Sequence, residues 1–107
     1  MALTRDFRET VKARMDADPE YRRALLEEGL ELLLAGDLAT GRAVLRDFIN
    51  GTIGFVALAE ETGISEKSLM RMFGEAGNPT AQNLFAVIEA LRKHESVELE
   101  VTATAVA

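Results

Sequence analysis

Cysteine is missing from this chain of 107 residues, and histidine occurs once, at His94. Without thiols the chain cannot form a disulfide framework, a thiolate nucleophile or a zinc–thiolate site. A single imidazole excludes a histidine-rich metal site and most histidine-paired nucleophilic triads within one chain. The sequence also lacks a phosphate-binding glycine loop and any metal cluster at usable spacing. It therefore predicts no catalytic, metal-binding or cofactor-binding residues, and an enzyme is the least favoured class.

Long apolar runs are also missing from the sequence. The apolar runs, such as residues 32–35, are all far too short to cross a bilayer. The first eight residues carry charges where a signal peptide needs an apolar segment. We therefore expect a cytoplasmic protein without membrane contact. The length corresponds to about one domain, which is small enough to gain stability from dimerisation.

A surplus of positive charge, which is typical of nucleic-acid-binding proteins, is lacking as well. Twelve basic and eighteen acidic side chains give a net charge of −6. The acidic surplus is unevenly distributed: residues 1–52 carry −2, residues 53–94 carry −1 and residues 95–107 carry −3. The middle of the chain is thus nearly neutral, and the acidity is concentrated in the C-terminal tail, residues 95–107.

What is present is helical patterning along most of the chain. An apolar side chain at every fourth position predicts an amphipathic first helix, through Leu3, Phe7, Val11 and Met15. Helix starts are predicted where a capping residue precedes an apolar stretch, at Asp18, Asp37, Thr52, Ser65 and Thr80. The sequence predicts five or six helices. The buried face of the third is expected to hold Leu38, Leu45, Phe48 and Ile49.

The pattern changes in the tail from a helical period to a period of two. Apolar Val97, Leu99 and Val101 alternate with polar residues, which is typical of a β-strand. A single strand cannot satisfy its own backbone hydrogen-bonding groups. Three alternatives follow: the strand pairs with a second copy of the chain, it contacts a partner protein, or it is a disordered tail in isolation.

Residues 55–73 meet the steric requirements of two short helices that cross at a steep angle. The first helix needs a small residue at the crossing, and the turn needs one that tolerates positive φ. An apolar residue must then fill the corner, and two apolar residues spaced by three must face the first helix. These requirements are met by Ala59, Gly63, Ile64, Leu69 and Met72, with Leu58 opposite on the first helix.

This arrangement resembles the helix-turn-helix of the Cro and phage-repressor class. A closer resemblance is to bacterial addiction-module antidote proteins, small antitoxins that are encoded beside a toxin. It is carried by Leu58-Ala59-Glu60-Glu61-Thr62-Gly63-Ile64-Ser65, by Ser68-Leu69 and by Gly77-Asn78-Pro79-Thr80. The resemblance covers residues 38–101. Thr62 departs from it, because a larger apolar residue is usual at that position.

The resemblance implies an all-α, lambda-repressor-like helix-turn-helix domain at residues 38–94. From the patterning of the rest of the chain, we expect an N-terminal helical extension, residues 1–37, to pack on this domain and a short C-terminal β-strand to lie in the tail. The resemblance also implies a transcriptional regulator that binds double-stranded DNA at its own operator as a homodimer. It would be the antitoxin and autorepressor of a toxin–antitoxin module, with a small basic toxin as partner. A stand-alone Cro-type regulator and a helical interaction module that does not bind DNA are the alternatives.

In this kind of motif the N-terminal part of the second helix lies against base edges in the major groove. Lys67 and Arg71 can donate to guanine, and Glu66 can accept from cytosine. Ser68 can contact a base or a phosphate. Thr80 and the free backbone N–H groups of the helix that it begins can hold a phosphate, together with Asn78. The predicted DNA-binding residues are Ser65, Glu66, Lys67, Ser68, Arg71, Asn78 and Thr80. Ser65, Glu66 and Lys67 would also serve simply to cap and solvate any short helix. Met70 is expected to be a packing residue.

Overall fold

The computed structural model describes residues 5–107, with side chains described at residue 10 and from residue 12 onward. These residues form six α-helices: α1 (Arg5–Ala17), α2 (Pro19–Leu34), α3 (Leu38–Gly51), α4 (Phe55–Thr62), α5 (Glu66–Met72) and α6 (Ala81–Glu95). The described residues contain no strand, so the predicted all-α class is confirmed. The predicted stripe positions Leu3, Phe7 and Val11 lie outside the described side chains. None of the described helices combines the length and the apolar character needed to span a bilayer.

Four of the five predicted helix starts are confirmed by their caps. The side-chain oxygens of Asp18, Asp37, Ser65 and Thr80 each accept a hydrogen bond from the backbone N–H three residues later. The fifth prediction was wrong. Thr52 ends α3, and its hydroxyl donates to the carbonyl oxygen of Phe48 at 2.7 Å, so Gly54 precedes α4 without a side-chain cap.

One apolar core joins the helices on both sides of residue 37. α1 and α2 contribute Met15 and Leu26 to a cluster that α3 to α6 complete. The largest fully buried side chains from α3 onward include Phe48, Phe73, Leu45, Ile49, Leu58, Leu69 and Leu91. Leu38 was wrongly predicted to be buried, since it is 52% exposed. It is the first residue of α3, and its side chain therefore lies at the edge of the packed helix pair rather than inside it.

Arg22 connects the N-terminal extension to the last helix. Its Nε donates to Oε1 of Glu95 at 3.0 Å, and its Nη1 donates to the carbonyl oxygens of Met15 at 2.6 Å and Asp16 at 3.2 Å. The Glu95 side chain is only 4% exposed. One guanidinium group therefore joins the end of α1, the start of α2 and the end of α6.

The predicted C-terminal strand is not formed in the single chain. α6 ends at Glu95, and residues 97–107 belong to no helix or strand. Residues 98–107 are exposed throughout. A strand exists only when a second strand completes its hydrogen bonds, and the described part of one chain offers none.

An ion pair on the exposed side of α6 lowers the pKa of a carboxyl group, and this effect can be tested. Arg92 Nε donates to Oε2 of Glu89 at 3.0 Å, and this hydrogen bond holds the pKa of Glu89 below its ordinary value. A lowered pKa means that the pair adds stability above the ordinary carboxyl pKa and loses it as the pH falls through the lowered value. We expect Arg92→Gln to move the Glu89 titration upward in a carbon NMR pH series. An unchanged midpoint would contradict the assignment.

Candidate nucleic-acid interface

The connection between α4 and α5 consists of three residues. Gly63 adopts a left-handed conformation (φ +74°), and its N–H donates to the carbonyl oxygen of Ala59 at 2.9 Å. A residue with a Cβ rarely adopts this φ, which explains glycine at the position. Ser65 then begins α5 through its cap. The shape of the turn is therefore set by the local backbone conformation and its hydrogen bond, independently of packing against the core.

Packing against the core determines how α5 is rotated about its axis. Leu58 and Leu69 are fully buried and Met72 is nearly so. Ala59 and Ile64 are half-buried and pack against the same core. The inward positions predicted from the sequence are thus confirmed, and the opposite side of α5 must face solvent.

Thr62, the residue that departs from the antidote-protein pattern, has a satisfied hydroxyl. It donates to the carbonyl oxygen of Leu58 at 2.8 Å and accepts from the N–H of Ile64 at 3.2 Å. The hydroxyl therefore hydrogen-bonds to the backbone on both sides of the end of α4. Threonine at this position thus has its polar group paired.

The exposed side of α5 carries Glu66, Lys67, Met70 and Arg71. Lys67 and Arg71 lie one turn apart, and neither forms an ion pair within the described part of the chain. Both cations are therefore available to an external anion. The prediction that Met70 packs inward was wrong, since it is 53% exposed. It follows Leu69, and a step of about 100° around the helix turns it away from the core.

Two of the predicted contact residues are engaged in capping. The Ser65 hydroxyl accepts from the N–H of Ser68 at 3.1 Å and donates to the Ser68 hydroxyl at 2.9 Å. Ser65 is exposed and Ser68 is half-buried. The Ser68 hydroxyl keeps its own proton for an external acceptor, whereas Ser65 acts first as the start of α5.

Cap removal at Ser65 gives a stability prediction. We expect Ser65→Ala to lower the free energy of unfolding by about 1 kcal/mol, because the N–H of Ser68 loses its acceptor. Ser65→Asp should remain within about 0.5 kcal/mol of the parent, since aspartate is an equally good N-cap. Urea unfolding followed by circular dichroism measures both. Equal losses in the two variants would contradict the capping role.

The loop after α5 brings the remaining predicted residues to the start of α6. Asn78 and Thr80 are exposed, and the Thr80 hydroxyl accepts from the N–H of Asn83 at 3.1 Å. The loop is attached to α5 because the N–H of Gly74 donates to the carbonyl oxygen of Arg71 at 3.1 Å. Asn78 makes no side-chain hydrogen bond within the described residues, so its amide is available.

Two arginines near this loop were missed by the sequence reasoning. Arg42 Nη2 donates to the carbonyl oxygen of Glu75 at 3.4 Å. Arg46, one turn later on α3, lines a shallow depression of about 220 Å³ together with Phe73 and Glu75. The spacing of four residues in the sequence places both arginines on the same side of α3. Only the folded chain shows that this side of α3 lies beside the loop after α5.

Acidic residues limit the positive potential of this surface. Glu60 and Glu61 are exposed at the end of α4, Glu66 is the first residue of α5, and Glu75 follows the end of α5. Few phosphate contacts per chain are therefore available. Among the described residues, no group of three histidine, aspartate or glutamate side chains could hold a metal ion.

Comparison with known proteins found no match: no family model, no curated protein and no solved structure matches this chain.

Proposed function

We propose that this protein is a sequence-specific DNA-binding transcriptional regulator without catalytic activity. The observation that carries the proposal is the orientation of α5. Leu69 and Met72 hold one side of this helix in the core, while Lys67 and Arg71 are exposed on the opposite side and form no ion pair with the described residues. Short helices α4 and α5 with a three-residue turn then act as a helix-turn-helix within a lambda-repressor-like domain.

In this proposal α5 enters the major groove and its outward side chains contact base edges. Arg71 and Lys67 donate to guanine O6 and N7, and Glu66 accepts from a cytosine amino group. The Ser68 hydroxyl contacts a base or a phosphate. At the start of α6, Asn78 and Thr80 contact a phosphate, together with the free backbone N–H groups of the first turn.

The charge balance requires that two copies act together. Phosphate neutralisation supplies much of the affinity for DNA, and each chain offers few cations near α5. A homodimer that reads two half-sites about 34–36 Å apart doubles those contacts. Affinity should therefore fall steeply with dilution below the dimerisation range and with added salt.

We further propose that the regulator is an antitoxin that represses its own gene. This part of the proposal is supported by the resemblance of residues 58–69 and 77–80 to addiction-module antidote proteins and by the net charge of −6, which suits a small basic toxin. A neighbouring reading frame for such a toxin should be present, and its product should co-purify with this chain. Absence of that frame on both sides would leave a stand-alone Cro-type regulator.

Fluorescence anisotropy against DNA from upstream of the gene tests the DNA-binding function. We expect Arg71→Ala to weaken operator binding by about 10- to 100-fold, because a two-bond contact to guanine is lost. Arg23→Ala is the matched control. It removes the same charge from an exposed position on α2 that forms no ion pair in the described part of the chain, and α2 packs mainly on α3 and α1. Scrambled DNA at two salt concentrations separates specific from non-specific binding.

The net negative charge favours one other class, a helical interaction module that does not bind DNA. In that case the parent protein would not bind upstream DNA even at low salt, and Arg71→Ala would leave every measurable activity unchanged. Ser65→Asp adds a further distinction. It preserves the start of α5 but brings a negative charge to the DNA, so operator binding should fall while stability is retained.

A further inference from the structure

The direction in which the tail leaves the body is fixed by several contacts. Ser96 adopts a left-handed conformation (φ +55°), and its N–H donates to the carbonyl oxygen of Lys93 at 3.1 Å. The N–H of Val97 donates to the carbonyl oxygen of Arg92 at 3.2 Å, and Arg92 Nη1 donates back to the Val97 carbonyl oxygen at 3.3 Å. The half-buried Val97 side chain packs against the core. These four contacts set the path of the chain as it leaves α6.

Beyond Val97 the apolar side of the tail is uncovered. Leu99 is 38% exposed and Val101 is 79% exposed, and no described residue of the same chain pairs with their backbone. Residues 97–105 alternate between apolar and polar side chains. This pattern suits a strand with one covered face, and the backbone groups on its edges require a second strand.

We propose that residues 97–105 pair with the same residues of a second copy of this chain, as a symmetric antiparallel ribbon centred on Val101. Around a two-fold axis, each residue faces the one equally far on the other side of the centre. Leu99 then faces Ala103, and Val101 faces Val101 of the second copy. Apolar side chains therefore meet apolar side chains along the whole ribbon.

The charges on the polar side exclude two neighbouring centres, at Leu99 and at Glu100. With Val101 at the axis, Glu98 faces Thr104 and Glu100 faces Thr102. A ribbon centred on Leu99 would place Glu98 opposite Glu100 twice, and one centred on Glu100 would place that carboxylate opposite itself. Like charges directly opposite each other destabilise a strand pair. A centre at Thr102 also avoids this conflict, but it places Val101 opposite Ala103 and Leu99 opposite Ala105, so no two large apolar side chains face each other.

The ribbon explains how two short recognition helices could be held at a fixed separation. A two-stranded ribbon alone is only marginally stable, but here each strand continues from a Val97 that is packed on the core. The ribbon itself does not depend on DNA. The inference rests on the proposed function only where dimerisation is expected to strengthen operator binding.

Sedimentation equilibrium of the full chain over a range of concentrations tests the ribbon. We expect the parent to dimerise and Val101→Lys to weaken dimerisation at least tenfold, because two ammonium groups would meet at the axis. Val106→Lys is the matched control. It adds the same charge at a position 95% exposed and outside residues 97–105, so it should dimerise as the parent does. Both positions lack core contacts, and circular dichroism should show unchanged helix content.

A crosslinking series tests the register, since the chain has no cysteine of its own. Directly opposed residues in an antiparallel pair are close enough for a disulfide. We expect mild oxidation to give covalent dimer fastest for Val101→Cys, and more slowly for Leu99→Cys and Val106→Cys. Equal rates at the three positions would overturn the register.

The two proposals predict opposite effects of added salt on affinity. Residual repulsion between the acidic tails is screened by salt, so dimerisation should tighten, whereas operator binding should weaken. A parent that stays monomeric, or a Val101→Lys variant that dimerises like Val106→Lys, would overturn the ribbon and leave DNA binding to be judged by anisotropy. A normal dimer that ignores operator DNA would overturn the proposed function instead and leave the ribbon standing.

Discussion

Replacing Gly77 by alanine is expected to lower the free energy of unfolding by about 3 kcal/mol, which corresponds to a loss of roughly 10–15 °C in Tm for a domain of this size. Gly77 is buried beneath the end of α5. A Cβ added there would meet the backbone carbonyl oxygen of Met72 and would lie 2.6 Å from that of Arg71. Backbone atoms at a helix end cannot turn aside as a side chain can. The loop that leads to α6 would have to move.

Thermal unfolding of Gly77→Ala beside Ala76→Ser measures this effect. Ala76 is the exposed neighbour in the same loop, and its substitution should change stability by less than about 0.5 kcal/mol. Equal Tm values for the two variants would show that the loop yields without cost. Because Asn78 and Thr80 follow directly, a displaced loop should also weaken operator binding at temperatures where the variant is still folded.

Replacing Arg22 by methionine is expected to cost about 3 kcal/mol of unfolding free energy. The substitution leaves the carboxylate of Glu95, which is 4% exposed, without its partner, and it removes the donor to two carbonyl oxygens at the end of α1. Breaking one half of a buried ion pair costs more than the pair contributes, since the other charge stays desolvated. The partial exposure of the Arg22 side chain, 21%, places the cost at the lower end of the usual range.

A double-substitution cycle separates the contribution of the Arg22–Glu95 ion pair to stability from that of side-chain packing. Combining Arg22→Met with Glu95→Leu should recover much of the lost stability, because an apolar pair replaces the stranded carboxylate. Arg23→Met, on the adjacent exposed position, should be close to neutral. Urea unfolding of the parent, Arg22→Met, Glu95→Leu and the double variant measures the coupling. A cost in Arg22→Met no larger than that in Arg23→Met would show that this contact does not hold the extension to α6.

Local chemistry explains why most helix boundaries could be predicted. Capping depends on one side chain and the backbone three residues away, so Asp18, Asp37, Ser65 and Thr80 could be identified from the order of residues alone. Thr52 failed because a threonine hydroxyl can also hydrogen-bond to a carbonyl one turn back, and nothing in the local sequence separates the two uses.

The inward side of α5 was predictable for a related reason. The spacing of Leu69 and Met72 indicates a buried stripe, and both are buried. Met70 was misjudged from its residue type, because methionine occurs in cores and on surfaces alike, whereas its position one residue after Leu69 places it outside the buried stripe. Phe85 is likewise 65% exposed, although phenylalanine is usually buried.

The order of residues was sufficient for the all-α class, the left-handed turn at Gly63 and the buried side of α5, since each depends on contacts within a few residues. Contacts between distant segments needed the folded chain. The pairing of Arg22 with Glu95, the approach of Arg42 to the loop after α5 and the close contact at Gly77 join residues that no local period relates. The tail belongs to neither group. Its alternation is a local property, but a strand forms only when a second strand supplies the missing hydrogen bonds, and one chain alone provides no such partner among its described residues.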